Sequence, residues 1–163
     1  MTPNPVPIEQ IRASLLTLLD ETFEKGSVAY LDRGGSLLET LGGINAETAS
    51  RAVSPSRGSI AAHTGHLAFY LEVIQRSMRG EAIGEVDWKE SWRVQRVTPK
   101  EWEDLKGRLR QTYKGVLAAV KGQDAWDRPQ DVTDSLAILA HSAYHLGAIR
   151  QAIGAVGRSS QGA

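Results

Sequence analysis

Apolar residues recur at intervals of three and four in four segments of the chain, which is the spacing of an amphipathic helix. The first segment follows Pro7 and ends at Gly26, a residue that suits a helix stop. The second begins at an N-cap, Ser59, and ends at Met78, with Gly80 as its stop. The apolar face of the second segment contains Ile60, His63, Leu67, Tyr70, Leu71, Ile74 and Met78.

The third and fourth segments predict the two remaining helices. The third has the clearest start, because Thr-Pro-Lys-Glu at residues 98–101 combines a capping box with proline at the first helical position. It ends at Gly122. The fourth opens near Thr133 or Asp134 and runs to about Ala155. It is apolar around much of its circumference, which is typical of a central, buried helix.

The connections and the tail have weaker patterns. Residues 26–58 indicate short helical turns around 37–41 and 46–51, and no segment has the pattern of a strand or a hairpin. The second long connection covers residues 80–97, and the tail from residue 157 to residue 163 looks frayed. Four amphipathic helices in 163 residues predict one all-α domain, a four-helix bundle that spans the whole chain.

Composition and charge exclude several functions. The 19 basic residues balance the 19 acidic ones, which argues against a nucleic-acid partner or a polybasic membrane binder. The chain has no cysteine, so disulfides, thiolate metal ligands and cysteine nucleophiles are excluded. It has neither an apolar stretch long enough to span a bilayer nor the pattern of a signal peptide. We therefore expect a cytoplasmic protein.

The four histidines form two clusters, His63 with His66 in the second helix and His141 with His145 in the fourth. Residues four apart share a helix face, so the imidazoles of His141 and His145 are able to bind one metal ion. A third histidine from a facing helix completes a set of three ligands and leaves positions for water or substrate. Imidazole ligands suit Zn, Ni, Fe or Cu better than Ca or Mg.

The same histidines have a plainer interpretation as buried core residues. A single histidine on an apolar face is usually a hydrogen-bonded core residue, and His63, near the centre of its apolar face, fits that description. Periodicity alone also favours His63 over His66 as the residue that faces the fourth helix. The spacing therefore leaves the third ligand open, and it leaves metal binding by His141 and His145 open as well.

Two segments resemble the DinB/YfiT-like superfamily of metal-binding four-helix bundles. Residues 59–68, SIAAHTGHLA, are similar to a family helix start that leads into His-Leu-Ala. Residues 139–150, LAHSAYHLGAIR, are similar to its His-x-x-x-His-x-Gly-x-Ile run, although Ala148 stands where the family often has glutamine. Residues 37–49 are similar to the family's connection before the second helix. The resemblance implies an up-down-down-up bundle, with a long crossover between the second and third helices.

The resemblance also implies the ligands of a metal. His66 matches the first ligand because Leu-Ala follows it directly, and His141 and His145 match the other two. His63 matches no family ligand, so we interpret it as a residue that supports a ligand or lines a pocket. Homodimers are common in the family, and an interface is one use for the four tryptophans, which are Trp88, Trp92, Trp102 and Trp126. In a small bundle they are more often core residues.

Family members act as thiol-dependent transferases or isomerases, or are described as metal-dependent hydrolases. The resemblance thus implies a divalent transition metal, Zn or Ni in preference to Mn or Fe, that activates water or a low-molecular-weight thiol against a small-molecule substrate. Ser142 after His141 breaks the zincin motif, and nothing places the acids Glu39 or Glu72 at the site as a base. Two alternatives remain, a non-catalytic metal-binding or stress-response protein and a helical interaction module with core histidines.

Overall fold

A computed structural model describes residues 5–25, 29–54, 57–122, 126 and 129–159. These residues are mainly helical, as the apolar periodicity predicts. They form, in chain order, α1 (Ile8–Phe23), α2 (Leu37–Gly42), α3 (Ala46–Ala49), β1 (Ala52–Ser54), β2 (Arg57–Ser59), α4 (Ile60–Met78), a 3-10 helix (Glu90–Trp92), α5 (Pro99–Gly122) and α6 (Pro129–Ser159). Six α-helices are thus described rather than four, and the predicted up-down-down-up order stays a prediction.

Two of the predicted helix starts are confirmed by their hydrogen bonds. The Ser59 side chain accepts a hydrogen bond from the backbone N–H of Ala62, 3.1 Å away, at the start of α4. At the start of α5, the Thr98 N–H donates to Oε2 of Glu101 at 2.7 Å, and the Glu101 N–H donates to Oγ1 of Thr98 at 3.3 Å. Gly80 follows α4 with a φ of 74°, a conformation that suits glycine at a helix end.

The short helices in the first long connection are also confirmed. Ser36 and Glu39 form a capping box at the start of α2, with the Ser36 hydroxyl 2.6 Å from Oε2 of Glu39. The Asn45 side chain caps α3 by accepting a hydrogen bond from the Thr48 N–H at 2.9 Å. The Glu39 carboxylate therefore has a local structural role.

Helix α4 packs mainly against α5 and α6, and α1 packs against α6 and α5. The core between the helices includes a stacked pair, Phe23 and Tyr113, whose ring centroids lie 4.1 Å apart. The Trp102 indole N–H donates to the carbonyl oxygen of Ile44 at 3.0 Å, which ties α5 to the connection that precedes α3. The largest fully buried side chains include Trp102, Tyr113, Phe23, Leu19, Leu37, Leu41, Ile60, Leu67, Leu71, Leu109, Ile138 and Leu146.

The expectation of no strand is wrong. Ala52 pairs with Ser59, and Ser54 with Arg57, in a short antiparallel hairpin directly before α4. Strands of three residues are too short for alternation of apolar and polar positions to be visible in the sequence. The hairpin instead depends on tertiary contacts, since β1 packs on α6 and β2 packs on α4.

The fourth predicted helix is longer than its sequence pattern indicates. Helix α6 begins at Pro129 rather than at Thr133 or Asp134, because proline is well tolerated in the first turn. It continues to Ser159, so the predicted frayed tail does not begin at residue 157, and residues 160–163 lie outside the described part. One glycine inside a helix, here Gly157, costs only about 1 kcal/mol relative to alanine, so it does not by itself end α6.

The first helix is shorter than predicted. Helix α1 ends at Phe23, and the predicted stop at Gly26 lies outside the described residues. Among the helices that the structure describes, none combines the length and the apolar character that crossing a membrane requires.

Candidate metal centre

Three histidines from two helices meet between α4 and α6. His66 on α4 and His141 and His145 on α6 each offer one ring nitrogen, and these nitrogens lie within 4.8 Å of one another. His66 and His145 are buried and His141 is half-buried. Within the described part of the chain, no carboxylate belongs to this group. The three imidazoles are therefore a group that could hold a metal ion.

Helix geometry accounts for this arrangement. The spacing of four residues on α6 puts the ring centroids of His141 and His145 4.5 Å apart. The His66 ring lies 5.3 Å from the His141 ring and 4.9 Å from the His145 ring. His66 thus faces both α6 histidines across the interface between the two helices.

Two of the three rings, those of His66 and His145, make hydrogen bonds through Nδ1. Nδ1 of His66 lies 2.6 Å from Oγ of Ser91, and Nδ1 of His145 lies 3.0 Å from Nδ1 of His63. In both rings Nε2 remains as the available ligand atom. Nε2 of His141 is buried and makes no hydrogen bond within the described residues. A buried polar atom without a partner costs about 1–3 kcal/mol, a cost that coordination to a metal removes.

Burial keeps these imidazoles neutral. Desolvation, together with the charges of the neighbouring histidines, lowers the pKa of His66 to about 4 and that of His145 to about 3. Desolvation also lowers the pKa values of His63 and His141. Near pH 7 the rings therefore carry lone pairs, the form in which histidine binds a metal. The donor set fits a transition-metal ion.

Aromatic rings surround the histidines. Tyr70 stacks on His141 with centroids 3.9 Å apart, and Trp92 stacks on His66 with centroids 4.2 Å apart. Trp88 lies beside both, 6.2 Å from the Tyr70 ring and 6.4 Å from the His66 ring, and is 42% exposed. The site therefore has apolar walls, and one of its aromatic side chains reaches solvent.

The two histidines of α4 have different positions. Periodicity favours His63 as the residue that meets α6, but His66 is the one whose nitrogen lies with those of His141 and His145. His63 still reaches the site, because its Nδ1 contacts Nδ1 of His145. It therefore lies beside a member of the group.

Glu72 and Glu39, the two carboxylates considered as a general base, bind other groups. Glu72 binds Arg108 through both carboxylate oxygens, at 2.7 Å and 2.6 Å. Glu39 caps α2. Neither is part of the histidine group in the described structure.

The sequence patterns missed three neighbours of the histidines. Tyr70 lies four residues after His66 on the same face of α4, so helical spacing is a signal that was available for it. Ser91 and Trp92 come from the 3-10 helix within the connection between α4 and α5. No periodic pattern marks that connection, so only the tertiary structure brings these two residues to His66.

The family model described as the DinB superfamily matches residues 31–149, which is most of the chain and includes all four histidines. No curated protein and no solved structure matches the chain.

Proposed function

The chain belongs to the DinB superfamily, and on this basis we propose that it is a metal-dependent enzyme that activates a small nucleophile. The proposed ligands of the divalent transition metal are His66, His141 and His145. The observation that carries the proposal is the buried Nε2 of His141, which has no hydrogen-bond partner within the described residues, in a ring that lies beside two other imidazoles, each of the three offering one nitrogen within 4.8 Å of the others. The substrate is a small molecule.

The donor chemistry supports a particular group of metals. Three neutral imidazoles without a carboxylate or a thiolate suit Zn²⁺ or Ni²⁺, with Mn²⁺ and Fe²⁺ as alternatives. Three protein ligands leave positions open for a nucleophile and a substrate. When bound, such a metal supplies Lewis-acid chemistry that lowers the pKa of water or of a thiol.

Transfer of a low-molecular-weight thiol is the favoured reaction, with hydrolysis as the second candidate. Ionising a thiol, whose ordinary pKa is about 8.5, requires a much smaller change than ionising water, whose pKa is about 15.7. The histidine group includes no carboxylate that would act as a base for water. The thiol must come from a cosubstrate, because the chain has no cysteine.

The residues around the histidines have roles in this proposal. Tyr70 and Trp92 restrict the rings on which they stack and keep water from them. Trp88, partly exposed beside the site, offers a flat apolar surface to a substrate. Low local polarity strengthens the interaction between a metal and its ligands.

The proposal includes the up-down-down-up bundle of the family. The lengths of α1, α4, α5 and α6 and the long connection between α4 and α5 support it. The homodimer and the cytoplasmic location stay predictions.

Metal content is the first test. The wild type, His145→Ala and Thr64→Ala are purified side by side, reconstituted with Zn, Ni, Mn or Fe, and examined by elemental analysis. Thr64 is a matched control, since the hydrogen bond of its buried hydroxyl in the described part of the chain goes to the carbonyl of Ile60 in its own helix, at 2.8 Å. We expect about one metal per chain in the wild type and in Thr64→Ala, and none in His145→Ala. A wild type without metal would favour the helical interaction module.

The reaction is tested on the metal-loaded protein. Small thiols are offered together with electrophilic acceptors, and esters and amides are offered separately. Thiol transfer that requires both the metal and His145 supports the favoured reaction. Hydrolysis alone supports the second candidate, and the absence of both activities favours the non-catalytic metal-binding alternative.

A further inference from the structure

Ser91 connects one proposed ligand to the backbone of the connection between α4 and α5. Its Oγ lies 2.6 Å from Nδ1 of His66 and 2.6 Å from the carbonyl oxygen of Trp88. Ser91 is 5% exposed and His66 is 7% exposed, so water has little access to either group. The three groups form a short chain of hydrogen bonds.

The direction of these hydrogen bonds follows from the number of hydrogens that each group has to donate. A serine hydroxyl has one hydrogen to donate, and a backbone carbonyl only accepts. Ser91 therefore donates its hydrogen to the carbonyl of Trp88. The contact with His66 then requires Nδ1–H of the imidazole as the donor. His66 thus carries its proton on Nδ1 and has a lone pair on Nε2.

We infer that Ser91 is a positioning residue, which holds His66 in the tautomer that a metal ligand requires. This inference rests on the proposed metal centre. A ligating imidazole binds through the nitrogen that lacks a hydrogen, and donation from its other N–H to a neighbour fixes the tautomer and the ring orientation. Loss of such a neighbour typically weakens metal binding about 10- to 100-fold.

The packing of the 3-10 helix on α4 explains why Ser91 reaches His66. Next to His66 the helix has Gly65, and a Cβ at that position would lie 3.9 Å from the carbonyl oxygen of Ser91 and 3.7 Å from Cβ of Val94. The connection therefore passes close to the α4 backbone. Trp92 stacks on the His66 ring and Ser91 contacts its Nδ1. Two consecutive residues therefore fix the plane and the tautomer of the His66 ring.

The tautomer is measured directly on the metal-free protein. Long-range ¹H–¹⁵N correlation spectra at pH 7 distinguish an imidazole with Nδ1–H from one with Nε2–H. We expect His66 to carry its hydrogen on Nδ1 in the wild type and in Thr64→Ala. In Ser91→Ala we expect the Nε2–H form to appear. An Nε2–H form in the wild type, or an unchanged tautomer in Ser91→Ala, would overturn the inference.

Zinc binding tests the consequence for the metal. Competition with a chromophoric chelator is expected to show an affinity for Zn²⁺ about 10- to 100-fold lower in Ser91→Ala, with the affinity of Thr64→Ala unchanged. Equal affinities in Ser91→Ala and the wild type would overturn the positioning role. If Ser91→Ala fails to fold, the wild-type spectrum still decides the tautomer.

A failure of the proposed metal centre is distinguishable from a failure of the proposed role of Ser91. A wild type that binds no zinc means that the metal centre is wrong, and the role of Ser91 is wrong with it. The wrong tautomer together with normal zinc binding overturns the role of Ser91 alone.

Discussion

Nδ1 of His63 lies 3.0 Å from Nδ1 of His145, so the histidine outside the proposed ligand set shares a hydrogen bond with one inside it. The edge of the His63 ring also faces Trp92, with the two ring centroids 5.1 Å apart. His63 thus contacts His145 through the nitrogen that a metal bound at Nε2 would not use. This contact restricts the orientation of the His145 ring.

Replacing His63 is expected to weaken metal binding without abolishing it. In His63→Ala, His145 loses its hydrogen-bond partner, and we expect the affinity for Zn²⁺ to fall about 10- to 100-fold with one zinc per chain retained at saturation. His63→Asn is the control, because the side-chain amide of asparagine would lie near the place that Nδ1 of His63 occupies. Loss of the zinc stoichiometry in His63→Ala would make His63 a ligand, and an unchanged affinity would make the contact incidental.

The stability of the metal-free protein is expected to rise with pH between about 4 and 6.5. The pKa of His66 is lowered to about 4 and that of His145 to about 3, whereas an unfolded histidine titrates near 6.5. The unfolded state therefore binds more protons in this interval, and the free energy of unfolding falls as the pH decreases from 6.5. Each unit of pKa difference corresponds to about 1.4 kcal/mol.

Urea unfolding of the metal-free protein at pH 5 and pH 7 measures this dependence. His145→Gln removes one of the four histidines whose pKa is lowered in the folded state, and should show a shallower dependence on pH. Equal unfolding free energies at both pH values in the wild type would contradict the burial of neutral histidines.

The core between the helices is expected to be sensitive to truncation at Leu109. This α5 side chain is fully buried, and its replacement by alanine should lower the free energy of unfolding by about 2–5 kcal/mol. Leu136→Ala is the matched control, since Leu136 is 49% exposed and the same truncation there should cost less than about 0.5 kcal/mol. Urea denaturation compares the two, and equal losses would contradict the packing of α5.

The capping box of α5 is expected to contribute to stability. Thr98→Ala removes the oxygen that accepts the Glu101 N–H, and we expect a loss of about 0.5–2 kcal/mol. Thr17→Ala is the control, because among the described residues the exposed Thr17 hydroxyl donates to the carbonyl of Ala13 in its own helix. Thermal and urea unfolding of both variants measure the difference. Equal stabilities would mean that core contacts alone hold the start of α5.

Local patterns in the sequence were enough to predict the long helices and two of their caps. The Ser59 cap and the capping box of Thr98 and Glu101 depend on residues within one turn of each other. The approach of His141 to His145 follows in the same way from their spacing on one helix. Backbone hydrogen bonding in a helix is local, so such features are visible without knowledge of the rest of the fold.

Periodicity favoured His63 and the family resemblance implied His66, and the tertiary structure shows that His66 is the α4 histidine that joins the α6 pair. His63 and His66 lie about 60° apart around the helix, and the rotation of α4 against α6 determines which one reaches both rings. The placement of Ser91 beside His66 and the pairing of β1 with β2 likewise require contacts between different elements. Such contacts depend on how separate elements pack against one another, and no periodic pattern within a single segment records that packing.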